Sequence, residues 1–333
     1  MKAGKAAALG AESKFVLFSV PKRLCPLFLY IINKNQNRSL FFKKNVLYYI
    51  RIIVKKIKSQ YFRKKHPKGA KTLGIIISIV NQKGGVAKTT TAINLSAAIG
   101  QKGKKVLLVD LDPQGNATSG IGVNKKELEY TTYDVIMGEV RPSEAVIKTN
   151  YKNVSIIPAT QALAQSELQL AAFDKKTLQL RKALLQIKDD YDIIIVDCLP
   201  SLGVLALNGL SACDRIIIPM QCEPYSLEGV AELLATVKRV KASTNKGLQI
   251  MGIVFTMLDK RLIVNKEVME AIKSNFPPDT IFKTEIPRNV KISEAPSHGE
   301  PITYYDSSSK GADAYKKLAA EVMKRASSAG KML

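Results

Sequence analysis

The sequence predicts an α/β fold with a mainly parallel sheet that is covered by helices on both faces. Short apolar runs rich in β-branched residues recur along the chain, and stretches with helical spacing lie between several of them. The runs are apolar throughout rather than alternating, which is typical of parallel strands buried on both faces. With 46% hydrophobic residues among 333, the chain can bury a sizeable core.

The first predicted strand, Gly74–Val80, leads into a glycine loop and then into a helix that reads TTTAINLSAAIG. Further strands are predicted at Val106–Leu111, Val154–Ile157, Ile193–Val196, Ile216–Pro219, Ile250–Phe255 and Thr280–Ile286. Helices are predicted most clearly at residues 161–188, 226–242, 264–275 and 310–325. This alternation, without a long linker, indicates one α/β domain over residues 73–330.

The net charge of +23 is concentrated at the amino terminus. Residues 1–72 hold 18 Lys and Arg against one acidic residue, Glu12. We expect this leader to be a disordered basic tail or sequence upstream of the true start, because the fold begins near Leu73. A surface helix over residues 40–58 on anionic lipid or nucleic acid is the alternative. The longest apolar run of the leader, Leu24–Ile32, is about half the length that spans a bilayer, so stable membrane insertion is not expected.

Cysteine usage indicates a reducing compartment. The four cysteines form no C-x-x-C pair and have no histidine nearby: Cys25, Cys198, Cys213 and Cys222. Neither a disulfide nor a metal site is expected from them, and the cytoplasm is the predicted location.

Residues 80–95 read VNQKGGVAKTTTAINL and resemble a phosphate-binding loop with an unusual spelling. When the usual pattern G-x-x-x-x-G-K-[ST] is aligned on Lys88, neither required position holds glycine. Two glycines, Gly84 and Gly85, instead follow an additional lysine, Lys83. The order strand, glycine loop, helix is nevertheless the context that a phosphate site requires.

The groups in this loop suit a nucleotide phosphate. Backbone N–H groups at a helix N-terminus favour an anion, and glycines allow its close approach. Lys88 is predicted to reach the β- and γ-phosphates, and the Thr89 hydroxyl to bind Mg²⁺. If Ala87 needs a positive φ, it costs on the order of 1 kcal/mol relative to glycine. A turn that merely caps a helix is the alternative. The predicted nucleotide-binding residues here are Lys83, Gly84, Gly85, Val86, Ala87, Lys88, Thr89 and Thr90.

Acidic residues stand at the carboxyl ends of two predicted strands. Asp110 and Asp112 follow Val106 in VLLVDLD, and Asp197 ends the strand that begins at Ile193. Ligands of open α/β sheets lie at this edge. We predict that Asp112 orients the attacking water, that Asp110 supports magnesium through water and that Asp197 is the Walker B magnesium residue. A turn or a loop-capping aspartate is the alternative for each strand end.

Five segments together resemble the ParA/Soj chromosome-partitioning ATPases, a branch of the deviant Walker A class of P-loop NTPases: KGGVAKTT, VLLVDLDPQGNATSG, DIIIVDCLPSLG, QCEPYSLEG and IPRNVKISEAPSHG. The likeness runs from about residue 74 to 325. KGGxxKT alone would also admit MinD, nitrogenase iron protein, arsenite pump and Mrp-like relatives. The segments DPQGNATSG and PRN-x-x-x-SEAPSHG narrow the resemblance to ParA/Soj.

The resemblance implies a switch protein with ATP and Mg²⁺ as cofactors. Its partners would be a second copy in an ATP-sandwich homodimer, non-specific double-stranded DNA and a ParB-like centromere-binding protein that stimulates weak hydrolysis. The protein would be cytoplasmic and nucleoid-associated. The catalytic residues implied are Lys83, which reaches the partner's phosphates, and Asp112. The resemblance places Pro287, Arg288 and Asn289 at the adenine pocket and DNA contacts near Arg261 and Lys291.

The chain departs from the family pattern at three positions. Ala87 replaces a commoner glycine, Leu199 replaces one proline of D-x-P-P-S-L-G, and Lys291 stands where arginine is frequent. A lysine still meets phosphate as a point charge but lacks bidentate geometry. Because none of these changes removes a phosphate, magnesium or acid group, ATPase activity is expected to survive.

Two other functional classes share parts of the pattern. A MinD-like membrane-associated ATPase that positions a partner protein would need an amphipathic C-terminal helix. This chain ends in AAEVMKRASSAGKML, which turns to Ser, Ala and Gly and lacks the bulky apolar residues of such a helix. An electron-transfer ATPase like the iron protein would share a metal cluster through paired cysteines. Cys198 lies next to Asp197, where a packing role is expected instead.

Overall fold

A computed structural model of the chain describes residues 74–223 and 226–330, so the predictions for the leader lie outside the described residues. The strands are β1 (Ile75–Ile79), β2 (Val106–Leu111), β3 (Ile147–Lys148), β4 (Val154–Ile157), β5 (Ile193–Cys198), β6 (Arg215–Gln221) and β7 (Gln249–Thr256). The α-helices are α1 (Lys88–Gln101), α2 (Asn116–Gly120), α3 (Thr132–Met137), α4 (Ser166–Gln169), α5 (Gln179–Leu184), α6 (Val204–Ala212), α7 (Ser226–Ser243), α8 (Ile263–Asn275), α9 (Val290–Glu294), α10 (Ile302–Tyr305) and α11 (Lys310–Gly330).

The seven strands form one sheet in the order β3-β4-β2-β5-β1-β6-β7. Every neighbouring pair is parallel except β3 with β4. All residues of β2 and β5 are buried, as expected of strands that are covered on both faces. The predicted mainly parallel sheet is therefore confirmed.

Helices cover the sheet on both sides. On one face α1 and α11 share an apolar core with β1, to which α11 contributes Tyr315, Leu318 and Val322. On the other face α6 packs against β1, where the Ser78 hydroxyl donates to the Gly209 carbonyl at 2.9 Å. A Cβ at Gly209 would lie only 2.7 Å from the Cys198 sulfur, so this close approach requires glycine.

The predicted strand at Thr280–Ile286 is wrong. Only Ile281 makes a bridge, to Ile253 of β7, and a 3-10 turn at Pro278–Thr280 precedes it. The amides of Lys283 and Thr284 donate to the two carboxylate oxygens of Glu321 on α11, at 3.0 and 3.1 Å. A side chain from a distant helix thus takes the N–H groups that a strand ladder would use.

The predicted helix over residues 161–188 is wrong as one continuous element. The structure contains a 3-10 helix at Gln161–Gln165, then α4, a 3-10 turn at Leu170–Ala172 and finally α5. Phe173 is extended, with ψ of 136°, and Lys175 has a positive φ of 58°. Both conformations interrupt a helix. The helices predicted at 226–242, 264–275 and 310–325 are confirmed as parts of α7, α8 and α11.

Candidate functional site

The glycine loop leaves β1 in the middle of the sheet and ends where α1 begins at Lys88. It is anchored at its first half by Asn81, whose amide donates to the Pro219 carbonyl at 2.7 Å and whose Oδ1 accepts from the Lys83 amide at 3.0 Å. It is anchored at its second half by Thr256 of β7, whose hydroxyl donates to the Val86 carbonyl at 3.1 Å. The loop is therefore held by strands on one side of β1 before α1 starts.

The two glycines of the loop face open space. A Cβ at either Gly84 or Gly85 would meet no atom within 4 Å, and Gly85 has a φ of 72°. The loop thus presents backbone, not side chains, to the space above the N-terminus of α1. This is the arrangement that a phosphate cradle requires.

Ala87 is in the left-handed conformation, with φ of 64° and ψ of 35°, directly before α1. The sequence predicted that strain at this position would follow from a positive φ, and the structure has that φ. The left-handed region costs an L-residue roughly 1–2 kcal/mol. A glycine at the same position avoids this cost but lowers stability by about 0.4–1 kcal/mol, because it gives the unfolded chain more conformational entropy. The net strain is therefore about 0.5–1 kcal/mol.

Ala87→Gly is accordingly expected to raise the free energy of unfolding by about 0.5–1 kcal/mol, or Tm by roughly 1–4 °C. The matched control is Ala271→Gly in the interior of α8, which should lower stability by about 1 kcal/mol because its alanine is right-handed helical. Thermal unfolding of both variants by circular dichroism measures the difference. A fall in Tm for both would contradict the strain at Ala87.

The two loop lysines lie in different environments. Lys88 is 6% exposed, and its ammonium donates to the Lys83 carbonyl at 2.9 Å. Burial lowers the pKa of Lys88, and the Asp197 carboxylate is the strongest influence that raises it again. The side chain of Lys83 is a third exposed and forms an ion pair with Glu223, just after β6. Lys88 therefore belongs to the loop itself, whereas Lys83 is directed to the surface.

Asp110 and Asp197 are paired in register on neighbouring strands β2 and β5, and both are fully buried. The Asp110 carboxylate accepts from the Thr118 amide at 2.8 Å, from the Thr118 hydroxyl at 2.7 Å and from the Asp112 amide at 3.2 Å. Burial raises the pKa of Asp110 to about 6, against these hydrogen bonds. Asp110 thus fixes the start of the loop and helix that follow β2.

Asp197 has no such partners. Neither of its carboxylate oxygens is hydrogen bonded within the described part of the chain. Burial and the neighbouring Asp110 carboxylate raise its pKa well above the ordinary range, and the nearby Thr89 hydroxyl and Lys88 ammonium oppose that rise. A buried carboxylate without donors is destabilising unless a cation completes it. Among the carboxylates at this edge, Asp197 is therefore the one that a bound cation would stabilise most.

The residues fit a magnesium nucleotide. Mg²⁺ in nucleotide sites is typically held by one or two protein oxygens together with phosphate oxygens and water. Thr89 and Asp197 supply a hydroxyl and a carboxylate beside the glycine cradle. Within residues 74–223 and 226–330, no group of three His, Cys, Asp or Glu side chains could hold a metal by itself. Phosphate oxygens and water would supply the ligands that Thr89 and Asp197 do not.

Asp112 directly follows β2 at the same carboxyl edge of the sheet and is 8% exposed. Its Oδ1 accepts from the Gln114 amide at 2.9 Å, and its own carbonyl accepts from the Gly115 amide at 2.8 Å. The side chain is thus fixed by a tight turn and lies among the groups that influence Lys88 and Asp197. The water-orienting role of Asp112 stays a prediction.

The segment Pro287–Asn289 lies beside the continuation of β7. Leu258 bridges to Pro287, and the Arg288 amide donates to the Leu258 carbonyl at 3.3 Å. The side chain of Asn289 accepts from the Ile292 amide at 3.4 Å and so caps α9. Through β7 the segment shares one sheet edge with the glycine loop, which is compatible with its predicted adenine-binding role.

Arg261 and Lys291 lie on separate surface segments, and each has an acidic neighbour. Arg261 makes a bidentate contact with Asp259, in which Nε donates to Oδ1 at 2.9 Å and Nη2 donates to Oδ2 at 2.7 Å. These hydrogen bonds lower the pKa of Asp259 to about 2. Lys291 pairs with Glu294 at 2.9 Å. Since exposed ion pairs of this kind contribute only about 0–1 kcal/mol, neither cation is prevented from meeting a stronger anion.

Sequence reasoning missed three residues of this site: Glu223, Thr118 and Thr256. Glu223 and Thr256 stand at or after the carboxyl ends of apolar strands, which is the signal that identified Asp197. Thr118 has no comparable signal, because its contact with Asp110 depends on how α2 folds back.

Two features bear on the MinD-like and iron-protein-like alternatives, namely the C-terminal helix α11 and Cys198. The apolar residues of α11 are turned to the core, and no helix in the described ranges is long and apolar enough to cross a membrane. Cys198 is 1% exposed, and burial raises its pKa well above the ordinary range. A cavity of about 390 Å³ lies elsewhere, between the Gly138 turn after α3 and α5, and no predicted site residue lines it.

Comparisons with known proteins agree on the class of this site. A family model described as an AAA domain matches residues 74–250. The chain is 48% identical over 250 residues to the sporulation initiation inhibitor protein Soj of Bacillus subtilis, covering 75% of this chain and 98% of that protein. It is 47% identical over 253 residues to the chromosome-partitioning ATPase Soj of Treponema pallidum, covering 76% and 98%.

Solved structures show the same fold with nucleotide. A cobyrinic acid a,c-diamide synthase of Mycobacterium smegmatis with bound ADP and magnesium has a TM-score of 0.67 and 34% identity, covering 76% of this chain and 95% of that chain. The cell division ATPase MinD of Pyrococcus furiosus has a TM-score of 0.62 and 29% identity, covering 76% and 99%. The predicted P-loop NTPase fold is confirmed.

Proposed function

Because the chain belongs to the ParA/Soj family of chromosome-partitioning ATPases, we propose that it works as an ATP-dependent dimerisation switch that binds DNA non-specifically. It is an ATPase with ATP and Mg²⁺ as cofactors. Hydrolysis, stimulated by a ParB-like centromere-binding protein, would release the DNA and so drive the partitioning of a chromosome or plasmid. The switch is assigned to an ATPase domain of residues 73–330 and would associate with the nucleoid.

The observation that carries this proposal is the separation of the two loop lysines. Lys88 is buried against its own loop, which supports a contact with a phosphate bound to the same subunit. Lys83 is directed to the surface and has an exposed counter-ion, Glu223. We infer that Lys83 exchanges this carboxylate for the phosphates of a second copy, as an arginine finger supplies a cation in trans.

The residues of the chain divide the work of hydrolysis. Bound ATP and Mg²⁺ supply the phosphoryl group that is transferred to water and the charge that offsets its oxygens. Thr89 and Asp197 would hold the metal, and Lys88 would hold the β- and γ-phosphates. Asp112, fixed by its turn at the site mouth, orients the attacking water. Lys83 of the second copy completes the positive charge around the transferred group.

The DNA-binding part of the proposal is supported by the exposed cations at Arg261 and Lys291. Their side chains are 89% and 49% exposed. Phosphate contacts are independent of base sequence, and each contact that a protein makes contributes about 0.9 to the slope of log affinity against log salt. Dimerisation doubles the number of such contacts, so binding should depend steeply on the nucleotide state.

The proposal is tested by DNA binding in the two nucleotide states. We expect the full chain to bind duplex DNA of unrelated sequences more tightly with ATP than with ADP, by at least about tenfold at moderate salt. Asp112→Ala should keep ATP-dependent binding and remain on DNA longer, because only water positioning is lost. The measurement is filter binding across a salt series, with release followed after excess competitor DNA is added.

A second chain that begins at Leu73 separates the switch from the basic leader. The leader should add binding that is the same with ATP and ADP, and its removal should take that part away. Identical ATP and ADP curves for the shorter chain would refute the DNA switch. Parental turnover in Asp112→Ala would refute only the role of that aspartate.

A further inference from the structure

Four aliphatic side chains are unusually exposed on the edge of the sheet beyond β7. Leu262, Ile263 and Val264 are consecutive at the start of α8 and are 52%, 73% and 48% exposed, and Val290 at the start of α9 is 72% exposed. Single exposed aliphatic residues are common on protein surfaces, whereas a contiguous exposed apolar patch indicates an interaction site.

These residues directly adjoin the two cations assigned to DNA. Leu262 follows Arg261, and Val290 precedes Lys291. The two segments are tied together at their bases, where Leu258 bridges to Pro287 and the Arg288 charge influences Asp259. The same combination of a cation beside an exposed aliphatic side chain thus occurs on two adjoining segments.

In two ion pairs on this edge the cation is far more exposed than its acid. Arg261 is 89% exposed above Asp259, which is 19% exposed, and Lys260 is 71% exposed above Glu285, which is also 19% exposed. A partner that approaches this edge meets ammonium and guanidinium groups together with aliphatic side chains. Asp259 and Glu285 lie beneath them, whereas Glu267 and Glu270 of α8 are exposed and Glu294 is 40% exposed. This surface complements an anionic partner that also offers apolar contacts.

We propose that Ile263, Leu262 and Val290 form an apolar contact for double-stranded DNA beside the ionic contacts of Arg261 and Lys291. This inference rests on the proposed DNA switch. Aliphatic side chains contact sugars and thymine methyl groups in the grooves and can press between base steps. They release no counter-ions, so they add affinity that does not depend on salt.

A lipid surface fits the same edge less well. A helix that lies in a membrane interface carries its apolar face along its whole length. The aliphatic exposure of α8 ends within its first turn, because Val268 and Ile272 are buried and the exposed positions that follow include Lys266 and Glu270. The patch therefore has the extent of a groove contact.

The test compares apolar and ionic variants in the full chain. We expect Ile263→Ser and Val290→Ser each to weaken ATP-dependent DNA binding by about three- to tenfold at every salt concentration, with an unchanged salt slope. Arg261→Ala should instead lower that slope by about 0.9 for each lost contact. The matched control is Leu185→Ser, which removes a leucine that is 53% exposed at the end of α5, away from this edge. The measurement is the difference between ATP and ADP binding curves.

Each other outcome overturns the proposal in a recognisable way. Parental affinity in Ile263→Ser and Val290→Ser would refute the apolar contact while the DNA switch stands. Loss of ATP-dependent dimers in these variants, measured by sedimentation, would assign the patch to a second copy of the chain. Binding of the parent to phosphatidylglycerol vesicles that Ile263→Ser abolishes would assign it to lipid. If the parent itself shows no ATP-dependent DNA binding, the proposed function fails and this inference fails with it.

Discussion

Lys88→Ala is expected to abolish ATP binding, whereas Lys83→Ala should bind ATP as a monomer and form no ATP-dependent dimer. Lys88 is the one of the two whose ammonium is held within the loop, at 2.9 Å from the Lys83 carbonyl. Removing it takes away the buried cation of the glycine loop, and Asp197 loses the ammonium that opposes the rise of its pKa. We therefore expect the Kd for ATP to rise by at least about a hundredfold.

For Lys83→Ala the expected change in Kd is within about threefold, because the ion pair with Glu223 is half exposed and such pairs contribute little. Titration with a fluorescent ATP analogue measures affinity, and analytical ultracentrifugation measures dimers. Lys102→Ala at the far end of α1 is the matched control, since it removes an exposed lysine that the site does not use. Equal loss of ATP affinity in both loop variants would contradict the trans role of Lys83.

Asp197→Asn should abolish hydrolysis and at the same time make the nucleotide-free fold more stable. Mg²⁺ would lose the carboxylate proposed to hold it, and a metal contribution of several kcal/mol corresponds to a fall in turnover of at least about a hundredfold. The fold, in contrast, loses a buried charge without hydrogen-bond partners that lies beside Asp110. The gain should be on the order of 1–2 kcal/mol at neutral pH.

The pH dependence of this gain follows from the raised pKa of Asp197. A carboxyl whose pKa is raised by folding destabilises the folded state at neutral pH and has no effect below its unfolded pKa of about 3.9, where both states hold the proton. The advantage of Asp197→Asn in Tm should therefore shrink as the pH falls towards 4.

Asp214→Asn is the control for Asp197→Asn, because Asp214 accepts from the Ile76 amide at 2.9 Å and from Lys188 at 2.8 Å and should lose stability. Thermal unfolding with and without Mg²⁺ and ATP gives both readouts. An equal or lower Tm for Asp197→Asn at pH 7.5 would mean that the buried carboxylate does not destabilise the fold.

The sequence was most informative where a local pattern decides the structure. Apolar β-branched runs predicted six of the seven strands, and the acids at their ends predicted the edge where the site lies. The two-residue strand β3 was missed, because it is antiparallel and too short to carry a pattern. Thr280–Ile286 was wrong because the amides of Lys283 and Thr284 are taken by Glu321, which no local window includes.

The roles of the acids could be predicted only in part. Asp110 and Asp197 look alike in sequence, since each follows four apolar residues. The structure separates them, because Thr118 satisfies the first and no hydrogen-bond donor satisfies the second among the described residues. Similarly, the contact of Lys83 with Glu223 joins two exposed side chains that are distant in sequence, and no spacing rule predicts such a pair.

The position of β1 has a consequence for how the protein is made. β1 leaves the ribosome first among the strands, yet its neighbours are β5 and β6, with Ile75 beside Ile193 and Ile77 beside Arg215. The loop after β1 also waits for Thr256 at the end of β7. The nascent chain therefore carries its phosphate-binding sequence through most of synthesis without the neighbours that shape it. Such long-range pairing slows folding, and a ligand that binds only the native state stabilises no earlier one. We therefore expect ATP to stabilise the protein only after the sheet is complete, and not to assist the assembly of the sheet.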